Sequence, residues 1–144
     1  MSNARIVVGF DFGLRRIGVA VGDTLTRTAA PHSTLACHDA GPDWPALDRA
    51  IRLLGPHLLV VGAPYNDDGS PGRIAAAADA FARQLAERYG LAVERADERY
   101  SSTAAHSLLR EQRATGQRRR VLRKGDIDSA AAAVLLTAWL ATGG

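Results

Sequence analysis

The 144-residue chain contains one cysteine, Cys37, one lysine, Lys124, and only 6% aromatic residues. A lone cysteine closes no intrachain disulfide and builds no zinc cluster, so the fold must rest on an apolar core suited to a reducing compartment. The four histidines, His32, His38, His57 and His106, stand at no HxxxH or CxxH spacing. They read as surface or loop residues rather than metal ligands. Long hydrophobic runs are missing too. The longest, residues 130–141, is broken by Thr137 and falls short of the roughly 20 residues that span a bilayer. The N-terminus lacks a basic segment followed by an apolar stretch and a cleavage site. These absences lead to the expectation of a soluble, cytoplasmic protein with no membrane partner.

What is present is ordinary for a globular chain: 47% hydrophobic and 23% charged residues, in a length suited to a single domain over residues 1–144. Seventeen arginines accompany 27 alanines, a bias that a GC-rich genome accounts for. The net charge of +3 is therefore uninformative, but its distribution is not. Residues 1–98 hold ten basic against twelve acidic side chains, and residues 125–144 add two more acids. Residues 99–124 hold eight basic side chains against Glu111 alone, a net +7. All the excess positive charge thus lies in one segment, which includes Arg118, Arg119, Arg120, Arg123 and Lys124. Runs of charge commonly form a solvated face, but one bracketed by acids also suits a polyanionic backbone. No aromatics are interleaved with these bases, so recognition should rest on backbone and shape rather than base stacking.

Hydrophobic patterning predicts the elements. Residues 6–12 read as a strand apolar on both faces, hence central in a sheet. A turn leads to a second strand over 17–21, and a weaker third is expected over 33–36, with Pro31 at its start. Asp43 caps a helix whose Trp44, Leu47, Ile51 and Leu54 share a face, and Gly55-Pro56 stops it. A short buried strand over 58–61 runs into the polar loop 62–69. Ser70-Pro71 then opens a helix carrying Ile74, Ala77, Ala78, Phe81 and Leu85, which ends at Gly90. A strand over 91–96 precedes a helix from Ser101 or Ser102 to about Arg113, a basic loop over 115–124, and a last helix from near Asp128 to about Leu140. Antiparallel strands first and alternating units afterwards predict an α/β fold, a mixed sheet with helices on both faces.

Three acidic positions stand out. Asp11 sits in IVVGFDF (residues 6–12), a segment built for burial, where an unpaired carboxylate would be costly. Either an ion pair with Arg15, Arg16 or Arg99 or a metal ion should face it. Asp97-Glu98 lies where a buried strand gives way to a helix, the edge at which α/β proteins place ligands. Adjacent strand residues point to opposite sides, so at most one of the two joins Asp11; both would also suit a solvated helix N-terminus. Asp126 and Asp128 precede SAAAAVLL, and Asp128 suits a helix N-cap. Yet a helix so rich in alanine packs closely on a sheet and brings its first turn to the strand ends. Carboxylates from three distant segments at one sheet edge are what a pair of oxygen-seeking divalent ions requires. The loop 62–70 opens a helix N-terminus, a natural anion site, although it carries no Walker A lysine.

Four segments carry a resemblance: GFDFGLRRIGVAVGD (9–23), VVGAPYNDDGS (60–70), ADERYSSTAA (96–105) and IDSAAAAVLL (127–136). In this order and spacing they resemble the YqgF/RuvX family of the ribonuclease H-like superfamily, whose fold is shared with retroviral integrases and RuvC-type resolvases. The resemblance covers nearly the whole chain. It implies a ribonuclease H-like, five-stranded mixed sheet and a nuclease dependent on Mg2+ or Mn2+. By position it implies catalytic, metal-holding acids at Asp11, Glu98 and Asp128, with Asp126 as the alternative third acid. Two departures stand out: Tyr100 follows Asp-Glu-Arg where the family has a leucine-like residue, and the basic flap is rich in arginine rather than lysine.

The implied reaction is phosphodiester hydrolysis by metal-activated water, leaving 5′-phosphates. Arg118, Arg119, Arg120, Arg123 and Lys124 would clamp the backbone, and Arg16, Asn66 and Arg99 would orient phosphates. The family is read both as a nuclease maturing the 5′ end of precursor 16S rRNA and as a Holliday junction resolvase. The partner is accordingly structured RNA, with ribosomal precursor particles, or branched DNA; RNA processing is the first reading. A resolvase would act as a two-fold homodimer, whereas an RNA-processing enzyme can act as a monomer. A more distant alternative is an actin-like ATP-binding module, because Asp11-Phe-Gly13 followed by Gly18-Val-Ala-Val resembles a phosphate-binding hairpin of that class.

Overall fold

A computed structural model describes residues 5–38, 41–63, 73–97 and 124–142. Its order is β1 (Ile6–Asp11), β2 (Arg16–Asp23), β3 (Thr28–His38), β4 (Gly41–Pro42), α1 (Trp44–Leu54), β5 (Leu58–Ala63), α2 (Arg73–Tyr89), β6 (Ala92–Asp97) and α3 (Lys124–Ala141). One sheet holds the strands in the order β4-β3-β2-β1-β5-β6. The expected mixed sheet is present, with antiparallel β1–β2 and β2–β3 pairs and parallel β1–β5 and β5–β6 pairs. It has six strands rather than five. The addition, β4, is a two-residue pairing of Gly41 and Pro42 with His38 and Cys37, too short to leave an alternating signal.

β1 is central because both its faces are buried, and its alternation assigns them. Val8 and Phe10 join a core with Ile17, Val19, Leu59 and Val61, closed over by Leu47 of α1 and Phe81 and Leu85 of α2. Val7, with Ala20 and Val60, faces Ala132, Ala133, Leu135, Leu136 and Leu140 of α3. Helices therefore cover both faces, as patterning predicts. Phe81 anchors the first core, its ring edge-on to Phe10 with centroids 5.5 Å apart and 5.2 Å from Phe12.

α1 follows its sequence signals closely. The Asp43 carboxylate accepts from the Ala46 amide at 3.2 Å, and Gly55 ends the helix in the left-handed region at φ 58. α1 is tied to α2 by Asp48, which accepts from Arg88 Nε at 2.8 Å and Arg88 Nη2 at 2.7 Å and from the Tyr89 hydroxyl at 2.6 Å. Those donors, Arg88 before Tyr89, hold the Asp48 carboxyl below the usual carboxylate range.

Two expectations change. β3 runs over Thr28–His38 rather than 33–36, with Pro31 inside it. The ladder steps from Val19↔Ser33 to Ala20↔Pro31, leaving His32 as an extra residue. A bulge on a strand whose outer side pairs with β4 only at its end accommodates the missing proline N–H. The last helix begins at Lys124, a turn before the predicted start near Asp128. No proline interrupts residues 124–127, so the helix continues back past the aspartate expected to cap it. The helix expected over 101–113, the cap at Ser70-Pro71 and all but Gly62 and Ala63 of the loop expected over 62–69 lie outside the described residues.

Because its folded-state pKa is depressed, Asp48 stabilises the fold above the ordinary carboxylate range, and that contribution fades as pH falls toward the folded-state value. Asp48→Asn should therefore unfold at lower urea than wild type at pH 7, with the gap narrowing at pH 3. Phe81→Ala, emptying a fully buried site, should cost about 3–5 kcal/mol in the same assay.

Candidate functional site

The parallel strands β1, β5 and β6 end at one sheet edge, and the ladders set their levels. Phe10 pairs with Val61, and Ala63 pairs with Asp97. Asp11, the last residue of β1, and Asp97, the last of β6, therefore end strands separated by β5, about 10 Å apart at ordinary strand spacing. Asp11 is half-buried and engaged in an interaction of its own. On β1 it follows Val7 and Gly9 on the face covered by α3, where an added Gly9 Cβ would meet the Leu136 Cβ at 3.2 Å.

Across the hairpin, Asp11 pairs with Gly18 of β2. A Cβ on Gly18 would lie 2.0 Å from the Asp128 carbonyl oxygen and 3.0 Å from the Ser129 amide nitrogen. The missing side chain is the space that the second turn of α3 occupies. Gly18 therefore joins the two acids: Asp11 is its ladder partner and Asp128 is its packing partner. Toward the far end of the helix, Gly22 plays a softer version of this part against Leu136 and Leu140 side chains.

Asp128 is not an N-cap. Its Oδ2 accepts from Arg16 Nε at 2.7 Å, and the two side chains are 26% and 39% exposed. Arg16 opens β2, two residues before Gly18 and on the same face, so its guanidinium lies beside the carboxylate that Gly18 admits. Of the arginines expected to face Asp11, Arg16 is thus paired with a different acid. Asp126 lies two residues before Asp128, in the first turn of α3. Lys124 is the first residue of α3 rather than the end of a loop. Glu98, Asn66, Arg99, Arg118, Arg119, Arg120 and Arg123 lie outside the described residues. Among the described residues no cluster of three His, Cys, Asp or Glu side chains occurs; what the fold brings together is the pair Asp11 and Asp128.

Gly18 is not among the candidate site residues that the sequence offers, where it reads as part of a strand or of a phosphate-binding hairpin. The available signal was a glycine inside an apolar strand, which marks close backbone approach. A phosphate has no room at Gly18 itself, because α3 backbone fills that position.

The model of the RuvX family, described as Holliday junction resolvase, matches residues 5–142. The chain belongs to the RuvX family. Among similar RuvX proteins is one from Nitrosococcus oceani, named "Putative pre-16S rRNA nuclease", 45% identical over 96% of this chain and 88% of its own length. Another of the same name, from Xanthomonas oryzae pv. oryzae, is 46% identical over 94% of this chain and 86% of its own length. Among solved structures, Thermus thermophilus RuvC in complex with a Holliday junction substrate superposes with a TM-score of 0.54 at 17% identity, covering 97% of this chain and 96% of that one. Fowlpox virus resolvase in complex with junction DNA gives 0.54 at 13% identity, covering 95% and 97%. At such identities these two likenesses concern the fold, which is that of ribonuclease H-like resolvases. Among the described residues no helix is long and apolar enough to cross a membrane.

The close approach at Gly18 is directly testable. In Gly18→Ala the added methyl meets backbone that has no rotamer by which to yield, so α3 must shift. The expected cost is about 1–3 kcal/mol by urea denaturation, with nuclease activity lost at temperatures where the variant is still folded.

Proposed function

We propose that this RuvX protein is a divalent-metal-dependent nuclease that hydrolyses phosphodiesters while processing the 5′ end of precursor 16S rRNA. The observation that carries the reading is the meeting of Asp11 and Asp128 around Gly18 at one sheet edge. Similar proteins across most of the chain bear the corresponding nuclease name. The donor set fits Mg2+ or Mn2+: carboxylate oxygens are hard ligands, and that of Asp128 already holds a cationic group at 2.7 Å. Asp11, Glu98 and Asp128 would hold the ions. Asp128 is preferred over Asp126 because it is the acid at Gly18.

A divalent ion held by these carboxylates would supply a water of lowered pKa and positive charge for the leaving oxygen. The protein's own part is to fix geometry. β1 sets the Asp11 carboxylate at a rigid strand end, α3 carries Asp128 to it, and the Gly18 seam holds the two in register. Arg16, Asn66 and Arg99 would orient phosphates, while Arg118, Arg119, Arg120, Arg123 and Lys124 hold the polyanionic backbone without reading bases.

Junction DNA cleavage is the second reading, favoured by the family description and by the resolvase fold. It requires a two-fold dimer that cuts strands symmetrically, whereas the RNA reading is satisfied by a monomer. Labelled precursor rRNA and four-way junction DNA, incubated side by side with Mn2+, separate the two. Cleavage of the RNA at a defined 5′ position is expected. Symmetric nicking of the junction alone would install the second reading. Asp11→Asn and Asp128→Asn should each lower the rate by at least about a hundredfold, as loss of a metal-holding carboxylate does; retention of activity by Asp11→Asn removes the metal-nuclease assignment.

A further inference from the structure

Arg16 and Asp128 form a contact that the proposed reaction cannot keep as it stands. The Asp128 carboxylate is needed by a divalent ion, yet its Oδ2 is occupied by Arg16 Nε at 2.7 Å. Both side chains reach solvent, at 39% and 26% exposure, so the pair can open without uncovering the core. The backbone beneath it cannot adjust in the same way. Gly18 and the Asp128 carbonyl interlock at a would-be contact of 2.0 Å, and Arg16 is fixed by the β2–β3 ladder opposite Ala36. Arg15, its neighbour, is anchored through its carbonyl, which accepts from the Cys37 amide at 2.9 Å. Two rigid elements therefore present one flexible cation to one carboxylate.

We propose that Arg16 is an exchangeable counter-ion. It neutralises and orients Asp128 in the metal-free protein, is displaced when a divalent ion takes that carboxylate, and then faces the substrate phosphate at the same edge. The idea rests on the metal-nuclease reading and adds a role which that reading does not contain. No bond is made or broken beyond the exchange of one cation for another on a single carboxylate. Without Arg16, the partly exposed Asp128 carboxylate would lose the cation it holds; with it, that carboxylate is neutralised in the metal-free protein, in competition with metal. A guanidinium suits both states, because its planar set of N–H donors serves a carboxylate and a phosphate equally well. Arg16 is thus a positioning residue in the empty protein and a phosphate-facing one in the loaded protein.

The test is Mn2+ uptake by the nucleic-acid-free protein, read from the electron paramagnetic resonance of free Mn2+, with thermal unfolding as the check on folding. Arg16→Gln should bind Mn2+ about three- to fivefold more tightly than wild type, the size a partly exposed pair supports. Arg16→Lys, keeping the charge, should stay close to wild type. Arg15→Gln makes the same charge change one residue away and should alter affinity less than about twofold, because that charge is screened and unpaired with Asp128. In the wild-type protein, the Arg16 Nε–H resonance should move on saturation with Mg2+, a readout that needs no variant. Unchanged or weaker Mn2+ binding by folded Arg16→Gln, an equal gain in Arg15→Gln, or a static Nε–H signal overturns the exchange and leaves the nuclease reading standing. A wild-type protein that takes up no Mn2+ overturns the nuclease reading and the exchange together.

Discussion

The candidate site depends on one steric fact: the Asp128 carbonyl stands where a side chain on Gly18 would be. A helix lying on a sheet is normally kept off by the side chains between them. Here that layer is thin, with Gly9, Gly18, Ala20 and Gly22 on the strands facing Ala132, Ala133 and Leu136 on α3. The small residues let the helix settle against the strand backbones. Its second turn is thereby locked beside the end of β1, where Asp11 lies. A larger residue at position 18 would lift the acid-bearing turn and leave most of the hydrophobic core in place.

The other face of the sheet supplies rigidity. α1 and α2 close over Val8, Phe10, Ile17, Val19, Leu59 and Val61, and the Asp48–Arg88–Tyr89 cluster joins the two helices across their exposed edges. The central strand is thus clamped from one side by bulky apolar packing and approached closely from the other. This asymmetry suits a catalytic edge. The thick core fixes where the strands end, and the thin seam fixes how near the final helix comes. Electrostatics then acts locally, through Arg16 and Asp128, on a backbone that packing has already set.

Much of the fold was legible in the chain because local signals agreed with the tertiary result. Residues 6–12 are apolar at successive positions and became the central strand. Asp43 and Gly55 carry standard end signals and became the ends of α1. Legibility failed where a tertiary partner outweighed a local preference. Asp128 has the chemistry of an N-cap, but Arg16, 112 residues away in the chain, took its carboxylate and the helix ran on past it. Pro31 marks a strand boundary in isolation, yet a bulge at His32 let β3 continue through it. β4 is too short to carry any period at all.

The site divides in the same way. Sequence alone determined which residue types were available: an acid in a buried strand, an acid ahead of an alanine-rich helix, and a basic segment between the later acids. It also determined family membership, since four motifs in register extend over nearly the whole chain. Only the tertiary structure decided that Asp128 is the acid standing against Gly18, and that Arg16 answers to Asp128. The physical reason is that periodicity and composition report which face a residue occupies within its own element. How closely two elements approach depends on the side chains both of them lack, and no single segment of the sequence contains that information.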